Sequence, residues 1–414
     1  KRMKLKHGKK RRLKPAGIVL IVVLVLLLVV GAVFGAMTLL KRDTVPAGPV
    51  DTESSVSSEE SSEPIPEPTS ARLIGFGDDL IHVSIFRQAK ARATDGGYDF
   101  SYAYEPVKNL VNLADIASIN QETMMAKDRE PSGYPLFNSP QELAYCLADM
   151  GFDLVNLANN HSLDQRASGL QSTLELWNSI DSVETTGAYL NEEDYSRIRS
   201  IEKNGITFGF IGMTELTNGL SLPKDTELIL LQPQAEEKVK ARIEEAREKF
   251  DVVVVNVHWG VEYTFKPTDF QRSFVQKLAD WGADIILGHH PHVIQPVEWV
   301  ERTDGSGKAL VVYSLGNFIS TQEMGPTMIG GALDVTVEKE YENNTISIKE
   351  ARFIPLVTHY GYGKSDVRVY PLDEYTDELA AKHGIHQHIS RFDIDYINET
   401  VSSVIDESFL TPYQ

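Results

Sequence analysis

The most informative pattern of hydrophobic and polar positions lies in residues 251–296. Residues 251–257 are a nearly continuous run of valines, which predicts a strand covered on both faces. Residues 284–287 have the same apolar character and predict a second buried strand. A helix ended by Gly282 is predicted between them, from apolar residues at three- and four-residue spacing: Phe270, Phe274, Leu278 and Trp281. The segment is therefore predicted to be a β-α-β unit.

Both predicted strands end in histidine. His258 follows the first strand, and His289, His290 and His292 follow the second. In a parallel sheet the two carboxyl ends lie at the same edge, where α/β proteins bind their ligands. Because imidazole is a common ligand of transition metals, several imidazoles at one edge predict a metal site or a catalytic site.

Strand and helix patterns alternate along the rest of the predicted domain, residues 71–365. Short apolar runs predict strands at residues 72–76, 116–119, 152–157 and 310–313. Helical spacing predicts helices at residues 104–115, 140–150, 167–180 and 235–249. Turn signals at Asn204-Gly205 and Asn343-Asn344 predict two antiparallel strand pairs. This succession predicts an α/β sandwich with mixed sheets.

The first 70 residues differ in composition from the rest. Residues 1–16 form a basic tail, and residues 17–40 carry no charge and are long enough to cross a hydrocarbon core of about 30 Å. The basic flank predicts a single-pass anchor in the cell membrane, with a cytoplasmic N-terminus and an extracellular C-terminal domain. Residues 41–70 are rich in Pro, Ser and acids, which predicts an extended, disordered linker.

Charge and cysteine content narrow the functional classes. Residues 71–414 contain 29 Lys and Arg against 52 Asp and Glu, a net charge of −23. Nucleic-acid binding needs a basic footprint, so this balance argues against that class. The single cysteine, Cys146, lies in a helical apolar pattern and is predicted to be a buried structural thiol rather than a nucleophile.

Residues with metal-ligand chemistry recur at five predicted strand ends. They are Asp78 with His82, Glu122 with Asn120, Asn160 with His161, His258, and the cluster His289, His290 and His292. A two-metal hydrolytic centre requires carboxylates, amide oxygens and imidazoles from separate strands, because a carboxylate bridges the ions and neutral donors complete their coordination. Each part alone is commonplace, but the ordered set predicts such a centre.

Six motifs, in this order and at these spacings, resemble the bacterial capsule-synthesis CapA family, which includes the PgsA-type poly-γ-glutamate capsule proteins. They are GDDLIH, INQE, NLANNH, VHWGVEY, GHHPHVIQP and YSLGNF. The resemblance covers roughly residues 71–360. It implies a relation to the calcineurin-like metallophosphoesterases, and with it a four-layer α/β/β/α sandwich that holds metals at its strand ends. It also implies one or two divalent ions, of which Mn, Fe and Zn are candidates.

The resemblance also implies roles for single residues. The implied metal ligands are Asp78, Glu122, Asn160, His258 and two of His289, His290 and His292. The superfamily's pair of histidines one residue apart favours His290 and His292, whereas the family's Gly-His spacing favours His289. His161 resembles a general acid or phosphate contact, and Asp78 and His82 are the further catalytic candidates. The chain departs from the pattern in having Glu122 where the superfamily has a bridging aspartate, and His82 four residues after Asp78 rather than two.

Three functional hypotheses follow. The first, favoured by the resemblance, is a membrane-anchored extracytoplasmic component of poly-γ-glutamate capsule biosynthesis or export, whose partners are a ligase and a polytopic membrane protein. The second is a metal-dependent hydrolase of phosphoesters in cell-envelope polymer. The third is a non-catalytic module that binds a polymer or a partner protein. An anionic polymer such as poly-γ-glutamate is repelled by a charge of −23 unless bound metal reverses the sign at the cleft.

The sequence also gives predictions for two further groups of residues. Residues 366–414 are predicted to form an extension that packs on the domain or trails it, with His383, His386 and His388 on its surface. Four residues near the predicted strand ends either line the site or pack in the core: Trp259, Glu262, Tyr263 and Asn317.

Overall fold

The computed structural model describes residues 66–410. The predicted tail 1–16, the predicted membrane segment 17–40 and most of the predicted linker 41–70 lie outside these residues. The first strand begins at Thr69, two residues before the predicted domain start, because residues 69 and 70 pair with Lys339 and Glu338. Among residues 66–410, no helix combines the length and the apolar character that a membrane crossing needs.

Strands and helices alternate along most of the described chain. The strands are β1 (Thr69–Asp79), β2 (Ile116–Gln121), β3 (Leu154–Asn156), β4 (Glu184–Thr186), β5 (Ala188–Tyr189), β6 (Arg199–Lys203), β7 (Ile206–Thr214), β8 (Ile229–Leu230), β9 (Val252–His258), β10 (Ile285–His289), β11 (Val297–Glu301), β12 (Lys308–Val312), β13 (Asn317–Ile319), β14 (Ile329–Glu340), β15 (Thr345–His359) and β16 (Arg368–Pro371). The α-helices are α1 (Val83–Arg92), α2 (Ser101–Tyr104), α3 (Lys108–Asn112), α4 (Glu142–Met150), α5 (Arg166–Trp177), α6 (Glu192–Ser196), α7 (Glu236–Lys249), α8 (Asp269–Trp281), α9 (Asp377–Lys382) and α10 (Ile394–Val404).

Within residues 66–410 these strands form two large mixed sheets and one small sheet, in which β5 pairs with β8. The first has the order β16-β15-β14-β1-β2-β3-β4, with β13 also paired to β1, and β1 to β4 run parallel. The second has the order β11-β12-β10-β9-β7-β6, in which β12, β10, β9 and β7 run parallel. The predicted α/β fold with mixed sheets is therefore confirmed.

The two sheets face each other, and helices cover their outer faces. A Cβ placed on Gly75 of β1 would lie 2.7 Å from Cδ1 of Leu287 in β10, so the sheets are in close contact there. In β9, Val253 and Val255 belong to the core under α7 and α8, whereas Val254 belongs to the core shared with the first sheet. This strand is buried on both faces, as predicted, because a helix layer and a sheet enclose it.

The central β-α-β unit has the predicted form. β9 and β10 are parallel, and His258 pairs in register with His289. Thr268 and Gln271 form a capping box at the start of α8, and Gly282 ends the helix with a left-handed φ of 115°. The unit therefore brings the carboxyl ends of both strands to one edge of the sheet.

The C-terminal residues pack on the domain. β16 pairs with β15, and Ile397, Val401 and Phe409 join the same hydrophobic core as β1. His386 and His388 are exposed, as predicted, but the prediction for His383 was wrong, because its side chain is buried at 2% exposure between β15 and this segment.

Candidate metal centre

The ends of parallel strands from both sheets meet at one buried cluster of polar side chains. Its members come from the ends of β1, β2, β3, β9 and β10, and none is more than 5% exposed: Asp78, Glu122, Asn160, His258, His290 and His292. Burial of so many polar groups in an apolar interior is unfavourable unless they pair with each other or with an ion. These side chains must therefore be stabilised by contacts with each other or by a bound ion.

One part of the cluster surrounds the Nε2 atom of His258. This nitrogen lies 3.0 Å from Oδ1 of Asn160 and 3.1 Å from Nδ1 of His290. It also lies 3.7 Å from Oε1 of Glu122. Three neutral donors and a carboxylate oxygen thus converge on one point.

The other part surrounds the Asp78 carboxylate. Its Oδ2 atom lies 3.2 Å from Nδ1 of His292 and accepts a hydrogen bond from the backbone N–H of His290 at 3.2 Å. Nε2 of His292 lies 3.7 Å from the same Oε1 of Glu122. Glu122 therefore contacts both parts of the cluster.

Among residues 66–410, two groups of three candidate ligands have ligand atoms within 4.8 Å of one another. One group is Glu122, His290 and His292, and the other is Asp78, Glu122 and His258. Glu122 belongs to both groups, which is the position of a bridging ligand.

The surroundings of Glu122 fit a divalent ion. Its carboxylate is fully buried, and neither of its oxygens has a hydrogen-bond partner among the described residues 66–410. Burial, with the nearby carboxylates of Asp78, Glu262 and Asp164, raises the pKa of Glu122 well above its usual value, against the effect of His292. A buried carboxylate without a donor is costly, and a bound cation removes that cost.

The four histidines of this edge differ in protonation. Burial, and then the neighbouring histidines, lowers the pKa of His258 well below 6.5. Burial lowers the pKa of His290 to about 3 and that of His289 to about 4. Burial acts in the same direction on His292, but the carboxylates facing it, Glu122 first, raise its pKa to about 9. Three imidazoles are therefore in the neutral form that binds metals.

His289 is set apart from the two groups of candidate ligands. Its Nε2 atom lies 3.3 Å from Oδ1 of Asn256, and its Nδ1 atom lies 3.6 Å from Oδ1 of Asp78. Of the three histidines that the sequence left as alternatives, the structure therefore places His290 and His292 among the candidate ligands, with His289 behind Asp78.

His161 has a carboxylate partner of its own. Its Nδ1 atom lies 2.7 Å from Oδ2 of Asp164, which also accepts the backbone N–H of Phe137 at 2.7 Å. The ring packs edge-on against Phe137, with 4.7 Å between centroids. Sequence reasoning missed Asp164, although the His-x-x-Asp spacing within a turn is a signal that could have indicated it.

His82 lies at the periphery of the cluster. It stands at the N-terminus of α1, and its Nδ1 atom is 3.1 Å from the carbonyl oxygen of Leu80 and 3.3 Å from the backbone nitrogen of Thr321. It belongs to neither group of candidate ligands within residues 66–410. Its ring packs against Phe137, the same ring that contacts His161.

The four residues predicted either to line the site or to pack in the core are divided between these two places. Asn317 contacts the cluster, since its Oδ1 lies 2.9 Å from Nδ1 of His292, and the Tyr263 ring lies 6.1 Å from the His292 ring. Glu262 is among the carboxylates that raise the pKa of Glu122. Trp259 is fully buried and donates its Nε1–H to the carbonyl of Tyr313, so it packs in the core.

Comparisons with known proteins support the family resemblance that the sequence motifs indicate. A family model described as "Bacterial capsule synthesis protein PGA_cap" matches residues 72–322. The PGA biosynthesis protein CapA of Bacillus subtilis is 34% identical over 52% of this chain and 56% of its own length. The capsule biosynthesis protein CapA of Bacillus anthracis is 31% identical over 45% of this chain and 44% of its own. The chain thus spans about half the length of these curated relatives.

Solved structures resemble the chain only distantly. One of them is described as a novel phosphatase from Mycoplasma pneumoniae and is 13% identical, with a TM-score of 0.41. The match covers 70% of this chain and 95% of the phosphatase chain. At that score the likeness supports no conclusion about activity.

Proposed function

The chain belongs to the family of bacterial capsule synthesis proteins that the PGA_cap model describes, and from this premise we propose that it is a component of capsule biosynthesis or export. We propose poly-γ-glutamate as the polymer, because a relative that is 34% identical is a PGA biosynthesis protein. Its partners in this role are membrane proteins of capsule synthesis, a ligase and a polytopic protein.

In this proposal residues 17–40 anchor the chain in the cell membrane, with the tail 1–16 in the cytoplasm and the domain outside the cell. The support is the sequence, in which 24 uncharged residues follow a strongly basic flank. The test uses a Cys146→Ser variant that carries Ser57→Cys in the linker. We expect a membrane-impermeant maleimide to label this variant on intact cells, and labelling that requires cell lysis would contradict the orientation.

We further propose that the buried cluster binds one or two divalent ions. The observation that carries this step is the fully buried carboxylate of Glu122, which has no hydrogen-bond partner in the described part of the chain and is shared by both groups of candidate ligands. The residues that would hold the ions are Asp78, Glu122, Asn160, His258, His290 and His292. Bound ions would polarise an ester or phosphoryl oxygen and lower the pKa of water.

The pairing of His161 with Asp164 favours a second candidate function, a metal-dependent hydrolase of phosphoesters in envelope polymer. With Nδ1 of His161 on the Asp164 carboxylate, the proton of that nitrogen is fixed and Nε2 is the atom left for substrate. A protonated Nε2 can then donate to the leaving-group oxygen, which is the role of a general acid. Turnover of a chromogenic phosphodiester that EDTA abolishes would support this candidate.

The decisive experiment measures metal content by mass spectrometry on the purified chain, prepared without chelator. We expect about one or two Mn, Fe or Zn per chain in the wild type, and loss of metal in Asp78→Ala. Asp225→Ala, which removes an exposed acid, should keep the wild-type content. A wild type that neither contains nor rebinds metal would refute the metal centre, and normal capsule in a strain that carries Asp78→Ala would separate the centre from capsule synthesis.

A further inference from the structure

Asn120 donates to one proposed ligand of the cluster, Asp78, and lies beside a second, His258. We propose that Asn120 is a positioning residue that holds the Asp78 carboxylate through its amide nitrogen. This inference rests on the proposed metal centre, since Asp78 is one of its proposed ligands.

The register of the first sheet places the amide beside its targets. Asp78, Asn120 and Asn156 are neighbours across the parallel strands β1, β2 and β3. Nδ2 of Asn120 donates to Oδ1 of Asp78 at 2.8 Å and lies 3.2 Å from Nδ1 of His258, which belongs to the second sheet. The amide therefore holds Asp78 and not His258, because an imidazole that binds metal through Nε2 carries its proton on Nδ1 and cannot accept a hydrogen bond there.

Asn156 determines which end of the Asn120 amide faces the cluster. Nδ2 of Asn156 donates to Oδ1 of Asn120 at 2.8 Å and to the carbonyl oxygen of Ala158 at 3.0 Å. Because the oxygen of Asn120 is occupied by this donor, its nitrogen is turned toward Asp78 and His258. Both asparagines are fully buried, so water does not reach the amide to replace it.

The contact with Asn120 directs the other oxygen of Asp78. Because Oδ1 of Asp78 is held by the amide, Oδ2 faces Nδ1 of His292 at 3.2 Å and accepts the backbone N–H of His290. Removal of the amide would leave Oδ1 of Asp78 without this hydrogen bond, so that only the contacts of Oδ2 would fix the carboxylate.

The test compares Mn²⁺ binding by calorimetry to the purified, metal-stripped full chain and two variants. Asn120→Leu keeps the size and branching of the side chain but removes the amide. We expect its affinity for Mn²⁺ to fall about 10- to 100-fold, the usual effect of losing a partner of a metal ligand. Ser118→Ala is the matched control, because Ser118 is buried on the same strand two residues earlier and its hydroxyl has no hydrogen-bond partner within residues 66–410. We expect this control to bind Mn²⁺ as the wild type does.

A folded Asn120→Leu chain with wild-type affinity would overturn the proposal. If Asn120→Leu does not fold, Asn120→Ala provides the same test, because it removes the amide and adds no new group. We expect Asn120→Ala to lose Mn²⁺ affinity by a similar factor, and unchanged affinity would again overturn the proposal.

A crystal structure of the metal-free folded variant separates this inference from the proposed function. If the wild type binds no Mn²⁺, the metal centre fails, but the positioning role predicts that Asp78 still leaves its wild-type rotamer in the variant. A wild-type rotamer of Asp78 would refute the positioning role, whether or not the wild type binds metal.

Discussion

The burial of His383 predicts how much the free energy of unfolding falls at acid pH. Its Nδ1 atom accepts the backbone N–H of Ile385 at 2.9 Å, which leaves the proton on Nε2, 2.9 Å from the carbonyl oxygen of Thr358. The ring is enclosed by Tyr360 and Phe392, at centroid distances of 4.7 and 4.8 Å. A second proton would therefore have to be placed on Nδ1, against a backbone donor. The folded domain holds His383 neutral.

The size of the effect follows from the shift in pKa. Burial, and then the neighbouring His359 and His386, lowers the pKa of His383 from 6.5 to about 3. Because the folded-state pKa lies below the unfolded value, the unfolded chain binds more protons between these pH values. The stabilisation is complete above pH 6.5 and is lost as the pH falls, at about 1.4 kcal/mol per pH unit. At pH 5 the loss due to His383 is thus about 2 kcal/mol.

The assay is urea unfolding of the wild type and His383→Asn at pH 7 and pH 5, with EDTA throughout. Asn can still accept the N–H of Ile385 but leaves the Thr358 carbonyl unpaired, so we expect the variant to lose about 1–3 kcal/mol at pH 7. Its further decline between pH 7 and pH 5 should be about 2 kcal/mol smaller than that of the wild type. His388→Asn changes an exposed histidine that does not affect the pKa of His383 and should keep the wild-type decline. An equal decline in the wild type and His383→Asn would refute the reasoning.

Three further predictions concern the cluster and the cysteine. Asp78→Ala and His292→Ala should each lose metal, as measured by mass spectrometry. Circular dichroism should show an intact fold in both variants, because both side chains lie at strand ends. Unchanged metal content in both variants would contradict the proposed centre. If the chain is a hydrolase, Asp164→Asn should lower its turnover of a phosphodiester about 100-fold at unchanged metal content, because it removes the carboxylate that orients His161; full turnover would exclude that role. Cys146 is partly rather than fully buried, against the core. Desolvation, and then nearby carboxylates, raises its pKa to about 12, so a thiol reagent at pH 8 should react with it much more slowly in the native chain than in the unfolded chain, and equal rates would contradict this shift.

The sequence by itself determined the local elements and the edge at which the chemistry lies. The valines of β9, the spacing of apolar residues in α8 and the glycine at position 282 are local signals, and each was confirmed. The turn at Asn204-Gly205 was confirmed as well, because positive φ angles of 53° and 76° suit these two residues. Parallel strands end at one edge, so the order of strands and helices was enough to place the motif residues together.

Only the tertiary structure decided which side chains of that edge meet. His289, His290 and His292 are nearly adjacent in sequence, but φ angles of 98° at His290 and 57° at His292 turn the backbone after β10 and separate their directions from that of His289. Such left-handed conformations cost energy in non-glycine residues and depend on the surrounding packing, so the sequence pattern does not reveal them.

Contacts between segments far apart in the chain could not be predicted from the sequence either. The amide of Asn120 contacts His258 across two sheets, 138 residues apart, and His383 is buried because β15 packs against the C-terminal segment. Hydrophobic periodicity reports which face of an element is buried, whereas a polar side chain becomes a ligand, a positioning group or a buried neutral histidine through the particular atoms that packing places beside it.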